Sequence, residues 1–147
     1  MSKTFLLHHI VFATKRRENT INVNNKKELY AYIMGIVQNK KCRLIRINGM
    51  PDHVHMLVDL HPTVAIAELV RDVKQSSSRW LKNNPAFPGF DCWGEGYYAV
   101  SVGADGLEAC RHYIINQENH HAGLCLLDEM ERMAHSYGLR WYKDDWD

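Results

Sequence analysis

No stretch of this 147-residue chain approaches the roughly 20 consecutive apolar residues that a membrane helix needs. The first apolar run, Phe5 to Ala13, is broken by His8 and His9 and lacks a small-residue cleavage signature, so it reads as a strand and not a signal peptide. The four cysteines, Cys42, Cys92, Cys110 and Cys125, form no C-x-x-C pair, which excludes a zinc ribbon or a dithiol redox motif. Reduced thiols in a cytoplasm account for them most simply. There are no internal repeats, low-complexity tracts or linkers, and the length leaves no room for a second domain, so residues 1–147 read as one domain.

Net charge is also scarce, at +1, but its distribution is uneven. Residues 1–50 hold ten lysines or arginines against two acids, whereas residues 124–147 hold three against six. The amino-terminal third can therefore supply phosphate contacts through Lys15, Arg16, Arg17, Lys26, Lys27, Lys40, Lys41, Arg43 and Arg46. Any single one of these is more often a solvated surface charge.

Patterning predicts strand, helix, strand, strand, helix, strand, then two more helices. Phe5 to Thr14 reads as the first strand. Asn24 or Asn25 is placed to cap a helix running to about Lys41, and Arg43 to Asn48 forms the second strand. Gly49-Met50-Pro51-Asp52 supplies turn chemistry, so the next strand folds back as a hairpin partner. From Val64 to Lys82, Ile66, Leu69, Val70, Val73, Ser77, Trp80 and Leu81 share one helical face. Arg71, Lys74, Arg79 and Lys82 fall elsewhere, where they can follow a nucleic-acid backbone. Tyr97 to Val102 makes the fourth strand, and Asp105 with Glu108 has the spacing of a capping box opening a helix that Gly123 closes. A last helix, about Leu126 to Tyr137, ends at Gly138. The expected fold is α+β: a ferredoxin-like four-stranded antiparallel sheet with helices on one face, plus a C-terminal helix.

Within the hairpin strand, His53, His55, Leu57 and Asp59 share one face, while Val54, Met56, Val58 and Leu60 form an apolar face. Crossover helices cover the apolar side, leaving two imidazoles on the open one. Tyr113 and Gln117 lie four apart on a helix and project together. Together they offer two nitrogens, an amide oxygen and a phenol, of which the neutral His, His, Gln set is an open divalent-metal site that suits manganese or magnesium. Judged alone, such a histidine pair is more often packing or surface. His120 and His121 follow on roughly the same side as Tyr113, either as ligands, phosphate contacts or proton carriers, or as a polar helix end. His8 and His9 face opposite ways, so only one can look toward the site. Asp59 stands farther along the strand, an outer partner to the ligands at most.

The segments Asp52-His53-Val54-His55-Met56-Leu57-Val58 and Tyr113-Ile114-Ile115-Asn116-Gln117, with His8-His9-Ile10-Val11-Phe12-Ala13-Thr14-Lys15 and the Trp93 to Val102 stretch, carry a resemblance. The chain resembles, nearly end to end, the single-tyrosine transposases of the smallest bacterial insertion sequences, in the histidine-hydrophobic-histidine (HUH) nuclease superfamily. That resemblance implies metal binding by His53, His55 and Gln117, and attack by Tyr113 on single-stranded DNA. The expected products are a 5′-phosphotyrosine link and a free 3′-hydroxyl. It also implies a homodimer on hairpin DNA, with each catalytic helix supplied in trans. The basic residues that would follow the DNA are Lys15, Arg16, Arg17, Lys40, Lys41, Arg43, Arg71 and Lys74. A domesticated transposase acting on chromosomal palindromes would carry the same residues. A catalytically silent DNA-binding module is the alternative from another class, and the intact tyrosine, histidine and glutamine set argues against it. A histidine-triad nucleotide hydrolase is disfavoured because the third alternating position is Leu57.

Overall fold

A computed structural model describes residues 2–120 and 125–140. Its strands are β1 (Leu7–Ala13), β2 (Arg43–Met50), β3 (His53–Asp59) and β4 (Tyr98–Ser101). They form one sheet in the order β2-β3-β1-β4 with every pair antiparallel, the ferredoxin-like arrangement. Helices α1 (Lys26–Asn39) and α2 (Ile66–Lys82) are its crossovers. After β4 come α3 (Leu107–Ile115), the single turn α4 (Gln117–His120) and α5 (Leu126–Ser136).

Alternation in β1 and β3 divides the core. Ile10, Phe12, Val54, Met56 and Val58 point one way, onto Leu29, Ile33 and Val37 of α1 and Leu69, Val70 and Val73 of α2. Tyr32 and Trp80 stack at 4.9 Å where the two helices meet. Trp93 closes the end of this core, packing edge-on against Phe12 while its indole N–H donates to Ser77 Oγ at 2.9 Å. On the other face, Val11, Ala13, Tyr98 and Val100 meet Leu126 and Met130 of α5, and Leu7 and Leu57 meet Ile114 of α3. The open face is thus covered within the chain by α3 and α5.

Several boundaries differ from the sequence expectation, each for a local reason. β1 begins at Leu7 because its partner strand ends opposite it at Asp59, leaving Phe5 and Leu6 exposed. The side-chain acceptor ahead of α1 is Asn22, which takes the Asn24 N–H, and Asn25 caps nothing with its side chain. β2 runs on through Met50, so only Pro51 and Asp52 form the turn. Gly49 faces Val54, where a Cβ would meet the His53 carbonyl oxygen at 2.1 Å. The capping box is not formed: a 3-10 turn, Ala104–Gly106, precedes α3, whose N-cap is Gly106. The helix bearing Tyr113 breaks at Asn116. There Asn48 of β2 donates from Nδ2 to the carbonyls of Ile114 and Ile115, both at 3.0 Å, satisfying helix-end acceptors. Gly123, expected to close that helix, lies outside the described residues. α5 ends as expected: Gly138 has φ +70, its N–H reaches His135 O and the Leu139 N–H reaches Ala134 O, a Schellman pair.

Candidate active site

The open face of β3 places His53 and His55 with ring centroids 5.0 Å apart, both fully buried. Asp52, in the hairpin turn, sets the first ring: its Oδ1 lies 2.6 Å from His53 Nδ1. His53 Nε2 then faces Gln117 Oε1 at 3.3 Å and Glu129 Oε2 at 3.7 Å. His55 Nε2 lies 3.0 Å from Glu129 Oε1, and its Nδ1 is 2.8 Å from His9 Nε2. His9 is therefore the one of the first-strand pair that turns to the site. Burial, followed by the His55 ring, holds its pKa well below the ordinary value, partly opposed by Glu129, so this imidazole is neutral.

Tyr113 and Gln117 do project together, although they sit on either side of the break at Asn116. The Gln117 amide is fully buried and donates toward Glu129 Oε1 at 3.3 Å and Tyr113 O at 3.4 Å. The Tyr113 hydroxyl donates to the same Glu129 oxygen. Its pKa is raised, first by burial and then by the hydrogen bond and charge of Glu129, so these side chains by themselves keep Tyr113 a phenol. One ligand atom each from His53, His55 and Glu129 lies within 4.8 Å of the others, with Gln117 Oε1 beside them. A nitrogen and carboxylate set of this kind, with a carboxylate orienting one histidine from behind, fits a divalent cation.

Residues 2–117 match the family described as Transposase IS200 like. The chain belongs to the IS200-like transposase family. It is 26% identical over 101 residues to the transposase of insertion sequence element IS200 from Salmonella typhimurium, covering 65% of this chain. The chain spans 66% of that relative's length. It is 25% identical over 121 residues to the ISDra2 transposase TnpA of Deinococcus radiodurans, covering 78% of this chain and 85% of that protein. Among solved structures, a chain from Deinococcus radiodurans assigned as a transposase superposes with TM-score 0.59 at 26% identity, over 79% of this chain and 93% of that one. A REP-associated tyrosine transposase bound to a REP hairpin shares the fold, with TM-score 0.61 at 14% identity over 84% and 76% of the two chains.

The family match ends at Gln117, and Glu129 lies beyond it. Glu129 is the site residue that sequence reasoning missed. Its signal was an acid on the apolar stripe of α5, three residues after Leu126 and beside Met130, where a carboxylate is costly unless it has partners. Asp59 does not approach the cluster. Its carboxylate accepts from the Leu6 N–H at 2.9 Å and pairs with Arg43 at 3.6 Å at the far end of β3. His120 ends α4, and His121 lies outside the described residues.

The basic candidates separate by what holds them. Lys40 is committed to Glu68 and Asp72, and Arg71 lies beside Asp72. Lys74 donates to the carbonyls of Gly94 and Gly96, pinning the loop before β4. Lys41 is exposed. Lys15 and Arg16 are exposed on the turn that follows β1, one and two residues past Thr14, whose hydroxyl lies 3.2 Å from the Asp52 carbonyl. Arg16 and Arg17 both hold left-handed backbone, φ 56 and 55, which is uncommon outside glycine.

Proposed function

We propose that this protein cleaves and rejoins single-stranded DNA through Tyr113, with a divalent cation, magnesium or manganese, held by His53, His55, Gln117 and Glu129. One observation carries the reading: the Tyr113 hydroxyl and His55 Nε2 converge on a single carboxylate oxygen of Glu129. Nucleophile and ligand atoms brought to one point by three separate elements suit phosphoryl transfer better than packing. The bound cation supplies Lewis acidity at a phosphate oxygen and favours the phenolate.

The residues do the rest. The Tyr113 oxygen forms a bond to phosphorus and the bond from phosphorus to the 3′-oxygen breaks. The phenol proton leaves to Glu129 or solvent, and the 3′-oxygen takes up a proton to become a hydroxyl. The 5′-phosphotyrosine conserves the phosphodiester, so a second 3′-hydroxyl can attack it and rejoin strands without ATP. That conservation is the reason for a tyrosine where water would suffice for hydrolysis. The basic turn Lys15–Arg17 leads on from the end of β1 where Ala13 pairs with His53, and this proximity supports a role for it in following the strand backbone. Hairpin DNA is the proposed partner, a reading supported by the REP hairpin bound to the tyrosine transposase that shares this fold.

The proposed assembly is a homodimer in which the Tyr113 helix is exchanged. Within one chain the end of α3 seats on its own sheet through Asn48, and the following turn α4 is tied to α1 by the ion pair of Lys26 with Glu118. A partner's helix satisfies the same contacts, and only the short hinge 102–106, with glycines at 103 and 106, has to change path.

The experiment is incubation with the single-stranded flanks of its own gene and manganese, followed by a denaturing gel. A DNA-protein adduct that is absent for Tyr113→Phe, while that variant still binds DNA, is the expected result. Cleavage by the Phe variant at the wild-type rate rules the tyrosine mechanism out.

A further inference from the structure

His9 is a fully enclosed histidine in a strand whose other residues on that face, Leu7, Val11 and Ala13, are apolar, and the transfer chemistry above gives it no task. Burying an imidazole is costly unless its polar atoms are matched. The match it has is specific: Nε2 lies 2.8 Å from His55 Nδ1, with the rings 5.0 Å apart.

The second histidine shows the same arrangement with a different partner. His53 has Nδ1 against Asp52 and Nε2 toward Gln117 and Glu129, while His55 has Nδ1 against His9 and Nε2 toward Glu129. A neutral imidazole carries one proton. For Nε2 to offer a lone pair to a cation, that proton must sit on Nδ1, and a buried N–H there needs an acceptor. Asp52 is the acceptor for His53. His9 Nε2 stands in the corresponding place for His55. Its route there is set by register: His9 pairs with Leu57, two residues along β3 from His55, so the two rings are diagonal neighbours on one face.

Resting on the metal reading above, we propose that His9 is a positioning residue, accepting the His55 Nδ1–H bond and so holding His55 in the tautomer and orientation that ligate through Nε2. A neutral acceptor suits this position, because Asp52 and Glu129 already bring two carboxylates to the histidine pair.

The test is calorimetric titration of the full chain with manganese, for wild type, His9→Phe and His9→Gln. His9→Phe keeps a ring and loses the acceptor, whereas His9→Gln loses the ring and keeps an acceptor oxygen. The expected result is manganese affinity about 10–100-fold weaker in His9→Phe, with most of the loss recovered in His9→Gln. A ring that only fills space gives the opposite order, and that order overturns the proposal. Long-range proton-nitrogen NMR on wild type saturated with magnesium reads the tautomers directly, and decides the matter if His9→Phe does not fold. His9 protonated at Nδ1, with Nε2 bare, is the expected spectrum, and a proton on His9 Nε2 overturns the proposal. Wild type that binds no manganese overturns the metal reading together with this inference. Wild-type binding matched by His9→Phe overturns the inference alone.

Discussion

The Tyr113 hydroxyl donates to a carboxylate sixteen residues later, that of Glu129 on α5. The same carboxylate reaches His55, and a 3.3 Å contact joins it to the Gln117 amide. A helix beyond the family match thereby closes the site, and it does so with a negative charge next to the Tyr113 hydroxyl. In the metal-free protein that charge opposes phenolate formation. On the proposed function a bound cation makes it part of the ligand set, so that one side chain would tie the reactivity of Tyr113 to metal occupancy.

Glu129→Gln is expected to weaken manganese binding at least tenfold and to lower the Tyr113 pKa in metal-free protein. Burial, the larger cause of the upward shift, stays in place, so the phenol still titrates above its ordinary value of 10.0. Carbon NMR of labelled tyrosine against pH, with Tyr113→Phe for assignment, checks the second expectation. A Tyr113 titration unchanged by the substitution rules out the charge coupling.

Gly49→Ala is expected to destabilise the protein by about 1–3 kcal/mol, because the added carbon meets backbone of the histidine strand that has no room to move. Urea unfolding measures it. The same variant should bind manganese more weakly, since the clash is with the His53 carbonyl itself.

Among the basic residues, pairing decides which contribute to DNA affinity. Lys15→Ala and Arg16→Ala should each reduce the slope of log affinity against log salt by roughly 1, because the Arg16 pairing with Glu18, at 4.0 Å between two exposed side chains, holds it only weakly. Lys40→Ala should leave the slope unchanged, since its ammonium already serves Glu68 and Asp72. Equal effects at all three positions would show that DNA passes over α1 as well.

The strand alternation of 53–60 carried most of what was legible. It gave the apolar face, the paired imidazoles and, with the helix patterns, the ferredoxin-like sheet. Tyr113 and Gln117 came from the motif, and the fold brings Gln117 to His53 and Tyr113 beside the His55 ring although the helix between them breaks. That break was not legible, because what stabilises it is Asn48 on another element. Glu129 was hidden for a related reason, being an ordinary residue in its own segment whose contacts exist only where β3 and α5 meet, while the choice between His8 and His9 was left open by alternation and is made by the register of β1 on β3. Lys40 and Lys74 show the reverse, reading as free surface cations until the fold brings acids and carbonyls to them.

Stability should fall at alkaline pH. Burial raises the phenols of Tyr30 and Tyr98 above 10.0 and pushes the Cys110 thiol from 9.0 up to about 11. The folded state holds these protons to higher pH than the unfolded chain does, so their contribution is complete below pH 9 and is lost as pH rises through the folded values. Thermal melts should give a level Tm from pH 7 to about 9 and a decline above it. Tyr30→Phe should flatten the decline, and an equally steep one would exclude Tyr30 as a source.

Subunit exchange can be read from two inactive variants. On the proposed mechanism and assembly Tyr113→Phe lacks the nucleophile and His53→Ala lacks a ligand, so neither homodimer would have a working site. If the Tyr113 helix crosses to the partner, a mixed dimer contains one site with both defects and one with neither, and mixing should restore up to half of wild-type activity per heterodimer. If α3 stays on its own sheet, each site keeps one defect and mixing restores nothing. The hinge gives a second lever. Extending the 102–106 connection by several flexible residues should favour the arrangement with α3 on its own sheet, and so the monomer in sedimentation. Restored activity in the mixture, lost again in the long-hinge protein, is the expected pair of results. Heterodimers that form and stay inactive place each complete site within one chain.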